Sequence, residues 1–424
     1  MPLSDLQIQT LARDAVQRAA AGDFAGAEPL LAQVADARPN SGQALHLLGQ
    51  ARLKLGRFAE AREPLERAAK FLPKDAAAQV NAAGCLMMLG LHEAALMFLD
   101  RAARVQPSDA AIAHNRGRAL EALGRTDEAE AAYTEALSID HRLMPALAAR
   151  ANLLLARGDW AGALADLDTA LVSQPEDARL RLRRGEVLLR RGDWLRGLAD
   201  HEARLEISGD RYVPQLPRWQ GEPLTGRLLV YPEQIDIESD AALRDTLMLA
   251  RGLGAVDAVL QGSARIDDWL DMPTIRRGTS LDGFAAAAPL RSLPHLLGWT
   301  LEALPPPAAA RGKARPADRI GWFAPVEPPA GLSVERNPAE VAACRLVVGD
   351  DSALAHLAAL MGIPTVVLLG PSADWLWGPQ SGPSPWYPTL YVLRGDETEE
   401  LAERLRGFSG LAPGGGAPPG SSLL

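Results

Sequence analysis

The sequence has few or none of several features that would indicate a particular class of function. It contains 2 cysteines among 424 residues, Cys85 and Cys344. That number is too small for a disulfide framework or a cysteine-based zinc site, and it is typical of a reducing compartment. The formal net charge is −9, which argues against a surface for nucleic acid or for an anionic membrane. No signal peptide and no apolar run long enough to span a bilayer is recognisable, so we expect a cytoplasmic protein.

What the sequence does contain is a repeat. Glycine, alanine and proline each recur every 34 residues over the first half of the chain, in one common frame. Glycine suits the left-handed position that ends a first helix, alanine suits a close helix crossing, and proline closes a second helix. The glycines are Gly22, Gly56, Gly90, Gly124, Gly158 and Gly192, the alanines are Ala27, Ala61, Ala95, Ala129 and Ala163, and the prolines are Pro39, Pro73, Pro107 and Pro175. This period is typical of tetratricopeptide (TPR) helix pairs.

The period predicts an all-α TPR solenoid over residues 1–209, with six helix pairs between 8 and 209. Its first helices would line a concave face, on which Asn81 and Asn115 share one position. In TPR proteins that resemble O-linked N-acetylglucosamine transferase, asparagines at this position hold the backbone of an extended peptide, since an amide both donates and accepts hydrogen bonds. Two interpretations stay open: a two-residue peptide-binding ladder, or ordinary solvated helix residues.

After the repeats, short apolar strands alternate with helices, which predicts an α/β domain of two Rossmann-like lobes around parallel sheets. The boundaries that composition suggests are a connector at 210–226, a first lobe at 227–303, a linker at 304–317, a second, shortened lobe at 318–408 and a disordered tail at 409–424. Strands are predicted at 227–233, 257–261, 319–324, 345–350, 365–370 and 390–394, and helices at 239–252, 338–344, 352–361 and 397–407.

The most informative segment is RLVVGDDSALAHLAALMGIPTVVLLG, which predicts a strand, a turn, a helix and a second strand. Asp351 or Ser352 would cap the helix, and the amides of Ser352, Ala353 and Leu354 would lie at the carboxyl edge of the sheet. Free amides and the helix dipole favour an anion there. His356, one turn along, would add a donor. The alternative is that Asp351 and Ser352 only cap the helix and that His356 only packs.

This segment, in particular D-S-A-L-A-H-L-A-A-L-M-G-I-P, resembles the nucleotide-sugar site of the heptosyltransferase-like glycosyltransferases. S-P-W-Y-P at 384–388 and P-R-W-Q-G-E-P-L-T-G-R-L-L-V-Y-P-E-Q at 217–234 resemble segments of the bacterial TPR-linked members of that group. The resemblance implies a two-lobed, GT-B-like domain with a sugar nucleotide in its cleft as substrate. The diphosphate would rest on the amides of residues 352–354 with His356 nearby, without a metal or other cofactor, and a protein or peptide would bind the repeats.

The chain also departs from that family. After E-Q the family continues with G-x-G-D-T, whose aspartate reaches the cleft; here Asp245 and Thr246 match the last two positions, but Arg244 stands where glycine belongs. The resemblance makes Asp245 the candidate general base. The family's basic phosphate contacts lie in the part that the second lobe lacks, and Lys313 and Arg315 are weak substitutes. Two hypotheses follow: a TPR glycosyltransferase, or a TPR interaction scaffold whose transferase-like domain has lost catalysis.

Overall fold

The structure is a computed structural model, described over residues 3–207, 211–251, 253, 256–300, 303–311, 319–324, 334–370, 377 and 381–394. The chain divides into two compact units, Met1–Glu176 and Asp177–Leu424. The predicted helix at 397–407, the tail at 409–424 and residues 312–317 of the predicted linker, with Lys313 and Arg315, lie outside the described residues.

The first unit is a TPR array of five consecutive helix pairs. In each pair, a glycine turn joins the first helix to the second. The helices are α1 (Asp5–Ala20), α2 (Phe24–Ala37), α3 (Gly42–Lys54), α4 (Phe58–Phe71), α5 (Ala76–Met88), α6 (His92–Val105), α7 (Ala110–Ala122), α8 (Thr126–Ile139), α9 (Met144–Ala156) and α10 (Trp160–Ser173).

The repeat residues have the roles that the period predicts. All six repeat glycines, Gly192 of the second unit included, lie between helices with φ between 72° and 86°, a conformation in which a side chain would be strained. The five repeat alanines are fully buried at 0% exposure, as expected where two helices pack closely. Aspartate or serine side chains cap several helix starts; Asp75, for example, accepts a hydrogen bond from Ala78 N at 3.1 Å.

The sixth helix pair, α11 (Ala178–Arg190) and α12 (Trp194–His201), belongs to the second unit. Its buried residues Leu189 and Trp194 are part of the same hydrophobic cluster as residues of the α/β region, and the Trp194 ring lies 5.7 Å from that of Trp386. Gly197 replaces the repeat alanine because a Cβ there would lie 2.7 Å from Leu189 Cγ and 2.9 Å from Leu189 N. The compact division therefore falls one helix pair before the predicted boundary at 209.

The first sheet of the α/β region has four parallel strands in the order β3-β2-β1-β4. Strand β4 consists largely of alanines and was not among the predicted strands. The elements are β1 (Arg227–Tyr231), α13 (Asp240–Leu249), β2 (Ala258–Gln261), α14 (Ala264–Trp269), β3 (Thr274–Ile275), β4 (Phe284–Pro289) and α15 (Leu293–Leu296).

Among the described residues, the second sheet has six strands in the order β6-β5-β7-β8-β10-β9, parallel except for the antiparallel pairing of β9 with β10. Its elements are β5 (Ile320–Phe323), β6 (Val334–Glu335), β7 (Leu346–Gly349), α16 (Ala353–Leu360), β8 (Thr365–Leu369), β9 (Gly382–Pro383) and β10 (Leu390–Arg394). As predicted, β7 and β8 are parallel neighbours joined by α16. The helix predicted at 338–344 is a 3-10 turn, Pro338–Ala343.

Helices α13 and α16 pack against each other, with Leu243, Leu247 and Leu357 in one buried cluster. This contact brings the start of α16 beside the first turn of α13, so it decides which groups surround the predicted ligand site. Within the described part of the chain, no helix combines the length and the apolar character needed to cross a membrane.

Candidate functional site

The predicted ligand site begins where β7 ends. The strand stops at Gly349, and Ser352 takes the N-cap position of α16 with extended backbone angles, φ −117° and ψ 158°. The Ser352 hydroxyl makes no capping hydrogen bond. Its Oγ is buried, and no described residue offers it a hydrogen-bond partner. A buried hydroxyl without a partner is uncommon, because removing it from water is unfavourable unless another bond replaces the lost one.

A side chain from another helix binds the first amide of α16. Asp240, the first residue of α13, accepts a hydrogen bond through Oδ1 from Ala353 N at 3.0 Å. A carboxylate at a helix N-terminus is stabilised both by the amide and by the helix dipole. The start of α16 therefore does bind a negative charge, and this charge belongs to Asp240.

Asp351 lies between an arginine and a histidine. Its Oδ2 accepts a hydrogen bond from Arg244 Nη1 at 2.7 Å, and its Oδ1 lies 3.2 Å from His356 Nε2. Burial alone would raise the pKa of Asp351, but the hydrogen bond from His356 and the charge of Arg244 outweigh it and hold the pKa below the usual carboxyl value. Asp351 is thus an anion with two partners of its own, not a helix cap.

His356 faces the protein interior and is fully buried. Since a carboxylate only accepts, the short contact with Asp351 places the proton on Nε2. Nδ1 lies 3.0 Å from Tyr387 Oη, within hydrogen-bond distance, and burial raises the pKa of Tyr387, which keeps its hydroxyl protonated. The Trp377 ring packs 5.2 Å away. Both ring nitrogens are therefore engaged by the protein, and the imidazole orients Asp351.

Asp245, the candidate general base, is 1% exposed. Arg291 donates to Oδ2 from Nε at 2.7 Å and to Oδ1 from Nη2 at 3.1 Å. Arg244 Nη2 donates to Oδ1 at 3.1 Å, and Gln234 Nε2 donates to Oδ2 at 2.9 Å. Burial alone would raise the pKa of Asp245, but the two arginines outweigh it and hold the pKa below its usual value.

This geometry is unfavourable for proton abstraction. A general base needs a pKa near the working pH and a lone pair within reach of the proton to be removed. The environment of Asp245 shifts the pKa in the opposite direction and occupies both oxygens with donors. Thr246, the other residue matched to the family motif, donates from Oγ1 to Ala242 O at 2.7 Å within its own helix. In this chain the side chains of Asp245 and Thr246 therefore make hydrogen bonds that stabilise the fold.

A cleft of about 680 Å³ adjoins the start of α16. Ala353, Leu354 and Leu357 form one wall, and Leu243 and Trp269 lie on another. The charged residues around the cleft are Asp240, Arg265 and Asp268. The cleft is largely apolar, and at the start of α16 it is lined by Ala353 and Leu354.

In the TPR array, Asn81 lies in α5 and Asn115 lies in α7, and both are half-buried. The amide of Asn81 is 2.7 Å from His46 Nε2, across neighbouring repeats. Burial lowers the pKa of His46, so a neutral ring accepts from Asn81 Nδ2. The two asparagines therefore differ, because one already has a histidine partner.

Sequence reasoning missed most of the partners of the site. Arg291 follows strand β4, and Asp240 and Tyr387 are distant from the motif that they contact. Arg244 was noted only as a misfit for a glycine, whereas it links Asp245 and Asp351. The i, i+4 spacing of Asp240 and Arg244 on a predicted helix was a usable signal, since it places both on one face.

Four family models match the sequence. Three of them describe a tetratricopeptide repeat and match residues 18–79, 75–142 and 148–210. The fourth describes glycosyltransferase family 9 (heptosyltransferase) and matches residues 332–404, which include the start of α16. A search of curated proteins finds no match.

Several solved structures are similar to part of the chain. A thermophilic TPR protein from Thermus thermophilus is 30% identical with a TM-score of 0.34, and the match covers 43% of this chain and 99% of that one. The MamA protein is 23% identical with a TM-score of 0.38, covering 41% and 94%. A TPR protein from Parabacteroides merdae is 21% identical with a TM-score of 0.42, covering 48% and 80%.

Proposed function

Because the chain belongs to the tetratricopeptide-repeat proteins and carries a glycosyltransferase-like domain, we propose that it is an interaction protein with a ligand-binding but non-catalytic transferase domain. The TPR array would bind an extended protein or peptide on its concave face. The two-lobed domain would bind a sugar nucleotide with its diphosphate at the start of α16. The free, buried thiols of Cys85 and Cys344 fit action in the reducing cytoplasm.

The observation that carries this proposal is the environment of Asp245. In a transferase the corresponding carboxylate has to remove a proton from the acceptor. Here it is 1% exposed and held by two arginines with its pKa lowered. Such a carboxylate acts as the anion of a buried ion-pair cluster, and freeing it would remove the negative charge that it places beside Arg244 and Arg291, which is unfavourable.

Retained ligand binding is supported by the start of α16. The amide of Ala353 already binds a carboxylate, and the Ser352 Oγ is a buried polar atom for which no described residue provides a partner. A diphosphate group matches both features, since it carries the negative charge that the helix end binds and has further oxygens that accept from a hydroxyl. In this proposal Ser352, Ala353 and Leu354 contact the ligand, whereas His356 and Asp351 position the turn.

A turnover assay tests the catalytic half of the proposal. The full-length protein is incubated with UDP-, GDP- and ADP-sugars, with and without a tryptic peptide mixture as acceptor, and released nucleotide is measured by chromatography. We expect release no faster than with heat-unfolded protein. Nucleotide release that requires the native protein would overturn the proposal and support an active transferase, the function that the match to glycosyltransferase family 9 favours.

A peptide array tests the interaction half. Binding of the full-length protein to extended 15-residue peptides is compared with binding of the double variant Asn81→Ala, Asn115→Ala. We expect the double variant to lose about tenfold or more in affinity, the scale of two hydrogen bonds. Asn40→Ala, in the exposed loop between α2 and α3, is the matched control and should bind as the unchanged protein does. Equal affinity of all three proteins would show that the asparagines do not hold the peptide.

A further inference from the structure

One face of α13 is directed at the start of α16. Asp240 and Arg244 are one turn apart on that helix. Asp240 Oδ1 accepts from Ala353 N at 3.0 Å, and Arg244 Nη1 donates to Asp351 Oδ2 at 2.7 Å. Two consecutive turns of α13 thus provide an anion for the start of α16 and a cation for the carboxylate just before it.

These two contacts differ in how firmly they are held. Arg244 is largely buried and also pairs with Asp245, which fixes it in the ion-pair cluster. Asp240 is an exposed residue whose side chain reaches the amide from the edge of the cleft. The start of α13 does not depend on it, since Ser239 Oγ caps this helix by accepting from Ala242 N at 3.4 Å. Arg244 therefore has the environment of a fixed residue, and Asp240 that of a side chain that can move away.

We propose that Asp240 is an internal competitor for the diphosphate site, an autoinhibitory contact that keeps the start of α16 filled until a ligand displaces it. The proposal rests on the ligand site of the proposed function and adds its regulation. Two observations carry it: a carboxylate of the chain is bound at the amide that a phosphate would use, and the adjacent Ser352 Oγ is buried without a partner among the described residues. The aspartate satisfies the amide but not the hydroxyl, and a phosphate group has enough oxygens for both.

Displacement also changes the charge balance of the cleft. With Asp240 in place, a diphosphate approaching α16 meets a like charge at the position of closest approach. Once the Asp240 side chain turns outward, the helix end is again a positive pole, and Arg244 stays beside it through Asp351. The contact therefore weakens ligand binding in two ways, by competition for the amide and by repulsion.

The test compares the affinity of the full-length protein for inorganic pyrophosphate with that of Asp240→Ala, by isothermal titration calorimetry. We expect Asp240→Ala to bind pyrophosphate about tenfold more tightly, the scale of one hydrogen bond to a charged group. Asp240→Asn, which keeps an acceptor oxygen but loses the charge, should gain less. Asp268→Ala removes the same charge from the same cleft without removing the contact to Ala353, and should change the affinity by less than about twofold, since exposed charges are screened.

The outcomes separate this inference from the proposed function. A selective gain for Asp240→Ala supports the internal competitor, and a parallel titration with UDP shows whether a nucleoside diphosphate uses the same site. Equal gains for Asp240→Ala and Asp268→Ala would reduce the effect to general electrostatics and overturn the proposal. Equal affinity in all variants, or no binding by any of them, would overturn it as well. Neither result bears on the turnover assay, whose outcome decides the catalytic claim on its own.

Discussion

Arg291 holds Asp245 in a bidentate contact, with Nε 2.7 Å from Oδ2 and Nη2 3.1 Å from Oδ1, although Asp245 lies on α13 and Arg291 lies on the 3-10 turn after β4. The pair makes the motif carboxylate a structural anion. It also explains why Arg244 can stand where the related family has glycine, because Arg244 completes the same cluster.

Removing one partner of this cluster should be costly for folding. We expect Arg291→Ala to lower the free energy of unfolding by about 3 kcal/mol, since it leaves a buried carboxylate with part of its compensation lost. Thermal and urea denaturation measure the change. Arg265→Ala is the matched control, because Arg265 pairs with Glu238 at 3.8 Å on the surface and such pairs contribute less than about 1 kcal/mol. Similar losses in both variants would show that the cluster is no more important than a surface pair.

The two depressed carboxyl pKa values predict an acid-sensitive fold. Asp245 and Asp351 both have lower pKa values in the folded protein than in an unfolded chain. Their contribution to stability is therefore complete above the unfolded value of about 3.9 and is lost as the pH falls through the lower folded values. We expect the melting temperature to fall steeply below about pH 4, near the unfolded value.

The variant Asp245→Asn should make the fall of the melting temperature at acid pH less steep, because the carboxyl group that takes up a proton on unfolding is gone. At pH 7 the same variant should be less stable than the unchanged protein, since the neutral amide no longer compensates the two arginines. Melting temperatures of both proteins between pH 3 and 7 give the comparison. If the melting temperatures of the two proteins fell in parallel with pH, Asp245 would not be the cause of the acid sensitivity.

The repeat itself offers a stability test with an internal control. Gly90 has φ +73°, so Gly90→Ala should destabilise the array by about 1–2 kcal/mol through left-handed strain. Gly84 lies inside α5, and a Cβ placed there meets no atom within 4 Å. Gly84→Ala should therefore stabilise the same repeat by about 0.5–1 kcal/mol. Opposite signs in thermal denaturation are expected, and equal signs would contradict the turn assignment.

A feature could be predicted from the sequence when the residues that form it lie close together in the chain. The glycine turns and the strand–helix–strand unit around α16 depend on neighbouring residues, and the sequence pattern predicted both. Strand β4 escaped prediction because its alanines have low β-propensity, although it is buried beside β1. The partners of the site, Asp245 with Arg291 and Ala353 with Asp240, are brought together only by packing of separate elements. No local pattern contains those pairs.

For His356, too, the local sequence predicted one set of contacts and the packing of distant elements produced another. Its spacing from Ser352 predicted a donor for the ligand, whereas the fold turns the ring toward Tyr387. We expect Tyr387→Phe to lower the free energy of unfolding by about 1–2 kcal/mol, since it removes the hydrogen-bond partner of Nδ1 in a buried ring. Tyr391→Phe, at a half-buried position of β10, is the control and should be nearly neutral. An unchanged melting temperature for Tyr387→Phe would show that the hydrogen bond does not hold the ring.

The amide of Ala353 can be removed with little disturbance of the fold. Ala353 is the first residue of α16, a position at which proline is favoured, and Ser352 before it already has the extended backbone that a following proline requires. We expect Ala353→Pro to keep the melting temperature within about 3 °C, the effect of less than 1 kcal/mol in a chain of this size. The same change deletes the donor that Asp240 and a diphosphate would share.

A double-variant comparison then follows from the competition between Asp240 and the diphosphate. In the Asp240→Ala background, Ala353→Pro should abolish the gain in pyrophosphate affinity, because the released amide no longer exists. The two changes should therefore be non-additive, as expected for groups that act on one atom. Calorimetric titration of the four proteins measures this. If Asp240→Ala raised pyrophosphate affinity equally with and without the proline, the phosphate would be binding elsewhere, and Asp240 would act on it only through its charge.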